Sequence, residues 1–166
     1  MTHQPGGVVL EDVAVVHLLA RTIVGAEGDG HAPLPAARLA PKPVNLSFEE
    51  AVATAWAVTP LQALRDLGGL RTGQKVLING ASGGVGTWAI QIAKAHGADV
   101  TAVCSGRNTE MVRALGADTV IDYTKEDFVS GGARFDLVFD TVGNRALSAA
   151  RKRVVGAMVM SLSCLG

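Results

Sequence analysis

From Leu39 onward, short unbroken apolar runs alternate with stretches whose apolar residues recur every three to four positions. Lys75 to Asn79 carries Val76-Leu77-Ile78, and similar runs fall at Val100 to Cys104, Thr119 to Ile121, Leu137 to Phe139 and Val155 to Leu162. Such runs suit strands buried on both faces, the pattern of a parallel sheet covered by helices. The intervening stretch after Gly80 places Val85, Ala89, Ile92 and Ala93 on one helical stripe and closes at His96-Gly97. Thr109 to Leu115, closed by Gly116, predicts another helix, Asp127 a short helical turn, and Arg145 to Arg153 a last helix.

Two helix starts are written in local chemistry. Ser47-Phe48-Glu49-Glu50 is a capping box, in which the Ser hydroxyl and the third helical Glu each satisfy an orphan amide, so a helix starts at Phe48. Thr59-Pro60-Leu61-Gln62 offers Pro at the first helical position, where its missing N–H is harmless, and Gly68-Gly69 supplies a left-handed exit. Strands alternating with helical crossovers pair in parallel. The fold class is therefore α/β, a doubly wound parallel sheet that stops short at its C-terminal edge. Residues 1–37 are an unassigned segment with one apolar block, Leu10 to Val24, expected to hold a strand or short helix; 38–72 carry connecting helices; 73–166 form the sheet domain.

Charge narrows the partners. The 166 residues hold 15 Lys and Arg against 15 Asp and Glu, so no basic field draws in phosphate backbones or anionic lipid. With four Phe, two Trp and one Tyr, the chain is also poor in stacking platforms for single-stranded nucleic acid. The apolar block at Val13 to Val24 is interrupted by His17 and Arg21 and falls short of the roughly 20 residues of a membrane span. Cys104 and Cys164 form no Cys-x-x-Cys and no disulfide framework, which points to a reducing, cytoplasmic setting.

The chemistry concentrates in Gly80-Ala81-Ser82-Gly83-Gly84-Val85-Gly86, a glycine-rich turn between a strand and a helix. A pyrophosphate reaches a helix N-terminus only where no side chain stands in the way. Gly83 is the expected close-approach glycine and Gly86 the one that lets helix and strand pack, with Ala81 at the first position of the dinucleotide fingerprint. A tight turn without a ligand is the plain alternative. A P-loop needs Gly-Lys-Ser/Thr, whereas Gly86 is followed by Thr87-Trp88. The second strand ends in Cys104-Ser105-Gly106-Arg107-Asn108, without the acid that holds an NAD ribose. Ser105 and Arg107 suit a 2′-phosphate, so NADP(H) is the expected cofactor.

These residues resemble a known signature. Gly73-Gln74, Leu77, Ala81-Ser82-Gly83-Gly84, Gly86, Gln91 and Lys94 are spaced as in the zinc-independent quinone oxidoreductase and zeta-crystallin-like branch of the medium-chain dehydrogenase/reductase superfamily. Leu39 to Pro43, Leu46 to Ala51, Leu115 to Asp118, Val120 to Tyr123 and Phe135 to Gly143 resemble the same branch. The resemblance implies a Rossmann-type domain. It also implies a cofactor site of Thr59, Ala81, Ser82, Gly83, Gly84, Val85, Gly86, Ser105, Arg107, Tyr123, Val142 and Gly143. Thr59 would lie near the nicotinamide or phosphates, Tyr123 beside the adenine ribose, and Val142 and Gly143 along the cofactor. Asn108 stands where members often carry a Lys.

The implied reaction is hydride transfer from NADPH to a quinone or an α,β-unsaturated carbonyl, with the cofactor doing the chemistry. No catalytic residue is assigned, and no metal is expected, since His3, His17, His31 and His96 are isolated along the chain. A short-chain dehydrogenase would need Tyr-x-x-x-Lys, whereas Lys125 lies two residues after Tyr123. Two further expectations come from length. Against a two-domain enzyme the chain reads as truncated, so a nucleotide-binding fragment that binds NADP(H) without turnover stands as the alternative. An open sheet edge invites a homodimer.

Overall fold

The computed structural model describes residues 13–14, 40–41 and 44–160. The chain divides into two compact units, Met1–Val58 and Thr59–Gly166. In the first, two-residue strands at Val13–Ala14 and Ala40–Pro41 pair antiparallel. The remainder of the predicted Leu10 to Val24 element lies outside the described residues. Helix α1 covers Phe48–Ala55 with both halves of the capping box formed: Ser47 N–H donates to Glu50 Oε2 at 2.8 Å, and Glu50 N–H to Ser47 Oγ at 3.2 Å.

The second unit is built on five parallel strands: β1 (Lys75–Asn79), β2 (Asp99–Cys104), β3 (Thr119–Asp122), β4 (Phe135–Asp140) and β5 (Val154–Met160). Their order across the sheet is β3-β2-β1-β4-β5. Chain order thus reverses between β1 and β4, and there the crevice of a doubly wound sheet opens at the C-terminal strand ends.

Period-two alternation sorts each strand onto two cores. Val76, Ile78, Val100, Ala102, Leu137 and Phe139 face one cluster, which also takes Ala89, Ile90 and Ala93 of α3 (Gly84–Ala95) and Val112 of α4 (Thr109–Ala114). Leu77, Val103 and Val138 face the other, with Phe128 and Ala150 of α5 (Leu147–Arg151). Phe135 departs from the alternation where the register with β5 shifts. At that shift Gly156 passes so close to the Asp136 carbonyl that a Cβ would collide with it.

Several predicted elements move. The helix expected to open at Pro60 opens at Val58 as α2 (Val58–Leu61) and widens into a π-helical stretch, Gln62–Leu67, before Gly69 turns left-handed at φ +61°. Pro60 is buried as the third residue of this helix, still in the first turn, where its missing N–H costs no intrahelical bond. Asp127 sits in a turn rather than a helix, its Oδ1 accepting from Val129 N–H at 3.1 Å. On α3 the buried stripe is Gly86, Ala89, Ile90 and Ala93; Val85 and Ile92 are half-buried beside it. The helix predicted at Arg145 to Arg153 shortens to α5, and the last strand starts at Val154, with residues 161–166 outside the described residues. No helix among the described residues is long and apolar enough to cross a membrane.

Candidate dinucleotide-binding site

The turn after β1 is shaped by backbone. Gly80 takes φ +81°, and a Cβ on it would strike Thr141 Oγ1 and come within 2.7 Å of Val142 Cγ2. The left-handed residue is therefore Gly80, one position before Ala81, where the fingerprint was expected to begin. Ala81 is fully buried, and its N–H donates to the Val103 carbonyl at 3.0 Å, tying the turn to β2.

Gly83 and Gly86 differ in what surrounds them. A Cβ on Gly86 would collide with the Gly80 carbonyl and stand 2.7 and 2.8 Å from Ala81 backbone atoms. Helix α3 packs onto β1 through this missing side chain. Gly83 and Gly84 are exposed; a Cβ on Gly83 would meet only the Gly80 carbonyl at 3.4 Å, and one on Gly84 nothing within 4 Å. Gly83 is the N-cap of α3, extended at φ −81° and ψ 168°, with no side chain capping the helix. The first-turn amides of a helix lack intrahelical acceptors and carry its positive dipole end. Open space over uncapped amides fits a pyrophosphate. Ser82 and Val85 are half-buried at the same turn.

Across the switch point, two polar residues close two apolar strands. Asn79 Nδ2 donates to Asp140 Oδ1 at 2.9 Å and to Asn144 Oδ1 at 3.2 Å. The same Asp140 oxygen accepts from the Val142 and Gly143 amides, each at 2.9 Å, while Thr141 donates through N–H and hydroxyl to the Asn79 carbonyl. Asp140 is 1% exposed and its Oδ2 finds no partner. This bolt holds the Val142–Gly143 loop beside the glycine turn. Asn79, Gly80, Thr141 and Asp140 were not among the expected site residues, although a polar residue closing each of two apolar runs was the available signal.

The outer end of the crevice is made of side chains. Ser105 precedes a short 3-10 turn, Gly106–Asn108, and Asn108 Nδ2 donates to Ser105 Oγ at 3.2 Å. Arg107 is exposed and lines a cavity of about 560 Å³ with Gly106, Glu110, Arg113, Asp122 and Lys125. Tyr123 is 53% exposed, its N–H on the Cys104 carbonyl. Asp122 is held below the usual carboxylate range by the Thr124 hydroxyl and amide. Cys104, a free thiol, is pushed up by burial and by Asp122, so it stays a protonated core residue. Thr59 is exposed on α2, and no side-chain hydrogen bond ties it to the turn. The structure thus gathers Ala81 to Gly86 with Val142 and Gly143 at the inner end and sets Ser105, Arg107 and Tyr123 at the outer end.

Known proteins match this arrangement. The family described as zinc-binding dehydrogenase matches residues 84–160. A bovine (Bos taurus) protein, NAD(P)H oxidoreductase RTN4IP1, mitochondrial, is 45% identical over 119 residues, 67% of this chain and 30% of that protein. The tomato (Solanum lycopersicum) 2-methylene-furan-3-one reductase is 43% identical over 104 residues, 61% of this chain and 27% of that one. The quinone oxidoreductase from Coxiella burnetii superposes at a TM-score of 0.68 with 35% identity, over 73% of this chain and 39% of that one.

The chain belongs to the medium-chain dehydrogenase/reductase superfamily, in its quinone oxidoreductase-like branch. A second member of known structure, the Pseudomonas syringae quinone oxidoreductase, aligns at a TM-score of 0.69 and 30% identity, over 77% of this chain and 45% of that one. The chain spans about a third of the length of the curated relatives it matches. The relatives' nicotinamide chemistry suits its uncapped α3. Among its described residues no group of three or more His, Cys, Asp or Glu could hold a metal ion, and His96 Nδ1 lies 2.9 Å from the Ile92 carbonyl at a helix end. His3, His17 and His31 lie outside the described residues.

Proposed function

We propose that the chain provides the cofactor half of an NADPH-dependent oxidoreductase of the quinone reductase type, passing hydride to a quinone or an α,β-unsaturated carbonyl. The carrying observation is the open glycine turn, Gly83 and Gly84, over the uncapped N-terminus of α3 at the strand-order reversal. The bound nicotinamide supplies the hydride; these residues hold the pyrophosphate and fix the orientation of the cofactor. Arg107 would grip the 2′-phosphate, which supports NADPH over NADH. Zinc has no part in this reading, and the buried free thiol of Cys104 supports a reducing compartment such as the cytoplasm. The partners are the small carbonyl or quinone and a second copy along a sheet edge; neither nucleic acid nor membrane is one.

The test is NADPH oxidation with a simple benzoquinone as acceptor, run beside a fluorescence titration with NADPH and NADH. Binding with quinone-dependent oxidation supports the enzyme. A second reading is NADP(H) binding without turnover, and binding with no oxidation supports it. Absence of binding overturns both.

A further inference from the structure

Ser105 to Arg107 and Tyr123 come from separate stretches of sequence and meet because β2 and β3 end side by side, Cys104 opposite Asp122 in the register. Backbone closes that pairing already, through the Tyr123 amide on the Cys104 carbonyl at 3.1 Å. The Asp122 carboxylate is therefore surplus to the sheet, yet its side chain is only 14% exposed. Its Oδ1 accepts from Thr124 N–H at 3.0 Å and from the Thr124 hydroxyl at 2.7 Å. Its Oδ2 faces Lys125 Nζ at 3.6 Å and occupies the space of the missing side chain at position 106, 2.5 Å from where a Cβ on Gly106 would stand. Gly106 N–H is among the groups that favour the charged carboxyl. One carboxylate thus spans the turn after β2 and the turn after β3.

We propose that Asp122 is the positioning residue of the adenosine end: seated against Gly106 and held by Thr124, it fixes the Ser105-Gly106-Arg107 turn so that Arg107 meets a 2′-phosphate. The inference rests on the NADPH reading above. Geometry matters here because a displacement of about 1 Å in a supporting contact can cost a hundredfold. The negative charge is offset locally by Lys125, with Arg107 and Arg113 on the same cavity and Glu110 and Glu126 opposing them.

The test titrates the full chain with NADPH and NADH, following bound-cofactor fluorescence, for the wild type, Asp122→Ala, Asp122→Asn, Gly106→Ala and the Gly106→Ala/Asp122→Ala double variant. Asp122→Ala is expected to cut the NADPH-over-NADH preference about tenfold, the size of one ordinary hydrogen bond. Asp122→Asn retains an acceptor and a similar shape and is expected to keep the preference. Gly106→Ala should cost as much as Asp122→Ala, and the double variant no more than either, since both disturb one contact. Should Asp122→Ala fail to fold, the Gly106→Ala and Asp122→Asn arms still decide. A preference that survives both Asp122→Ala and Gly106→Ala overturns the inference alone. Loss of preference in Asp122→Asn equal to that in Asp122→Ala would assign the effect to charge and also overturn it. A wild type that binds both cofactors equally overturns the NADPH reading and takes the inference with it.

Discussion

At the inner end of the crevice, between β1 and β4, the contacts run through main chain and buried polar groups: Gly86 lies on the Gly80 and Ala81 main chain, and the buried Asn79 and Asp140 side chains, with Thr141, clamp the loop. At the outer end, between β2 and β3, they run through the side chains of Ser105, Arg107, Asn108 and Asp122, mostly half-buried or exposed. The same cofactor would lie across both. At the inner end Gly80 and Gly86 tolerate no added atom, and the open turn between them is suited to the pyrophosphate, which every dinucleotide shares. Side chains at the outer end exchange at small cost to the fold, so that end is where a preference for one dinucleotide can be set.

The comparison breaks most sharply at Gly86. A methyl there meets backbone that cannot turn aside, and overpacking of that kind costs about 3 kcal/mol or more, against a total stability of about 5–15 kcal/mol. Gly86→Ala should therefore lose a large part of its unfolding free energy in a denaturant titration, and an unchanged midpoint would show that the close contact is not rigid. Gly83→Val should do the reverse. Its side chain enters open space, so stability should move by no more than about 0.5 kcal/mol, while NADPH affinity falls about a hundredfold, near 3 kcal/mol. Equal loss of stability in both variants would erase the distinction between a packing glycine and a binding one.

The smallest effect belongs to a charged pair away from the crevice. Lys94 Nζ contacts both Asp118 oxygens at 2.8 Å, and the Val100 amide donates to Asp118 Oδ2 at 2.7 Å. The Asp118 carboxyl is held below its ordinary range, first by Lys94. A carboxyl lowered by folding adds stability that is present above its unfolded pKa and lost as pH falls through its folded pKa. With the Asp118 side chain 42% exposed, solvent leaves the pair worth about 0.5–1 kcal/mol. Lys94→Met should lower the urea midpoint slightly near neutral pH, and the gap to wild type should close below the carboxylate range. A gap that persists in acid would assign the loss to the Lys94 stem packing on its neighbours.

The sheet was legible because its information is periodic and local. Val76-Leu77-Ile78 and Leu137-Val138-Phe139 announce doubly buried strands, and Ser47 with Glu50 announces a helix start that forms as written. The glycine turn was legible for the same reason, since close approach demands glycine wherever the chain runs. What stayed hidden depends on partners distant in sequence. Asn79 meets Asp140 and Gly106 meets Asp122 only through strand order and register. Pro60 carries a first-turn signal and does lie in the first turn of α2, but the helix opens two residues earlier, at Val58, because a first turn admits Pro at more than one position. The left-handed turn at Gly80 is a backbone angle, and angles are not written in residue type when several glycines lie close together.

The central claim is that a dinucleotide lies with its pyrophosphate on the N-terminus of α3 and its adenosine end between β2 and β3. Backbone amide NMR during titration with NADPH, repeated with NADH, reads this directly. The account predicts that the amides of Gly83 to Gly86 shift with both cofactors, and that those of Ser105 to Arg107 shift further with NADPH than with NADH. Saturation by either cofactor with the Gly83 to Gly86 amides unmoved would contradict it.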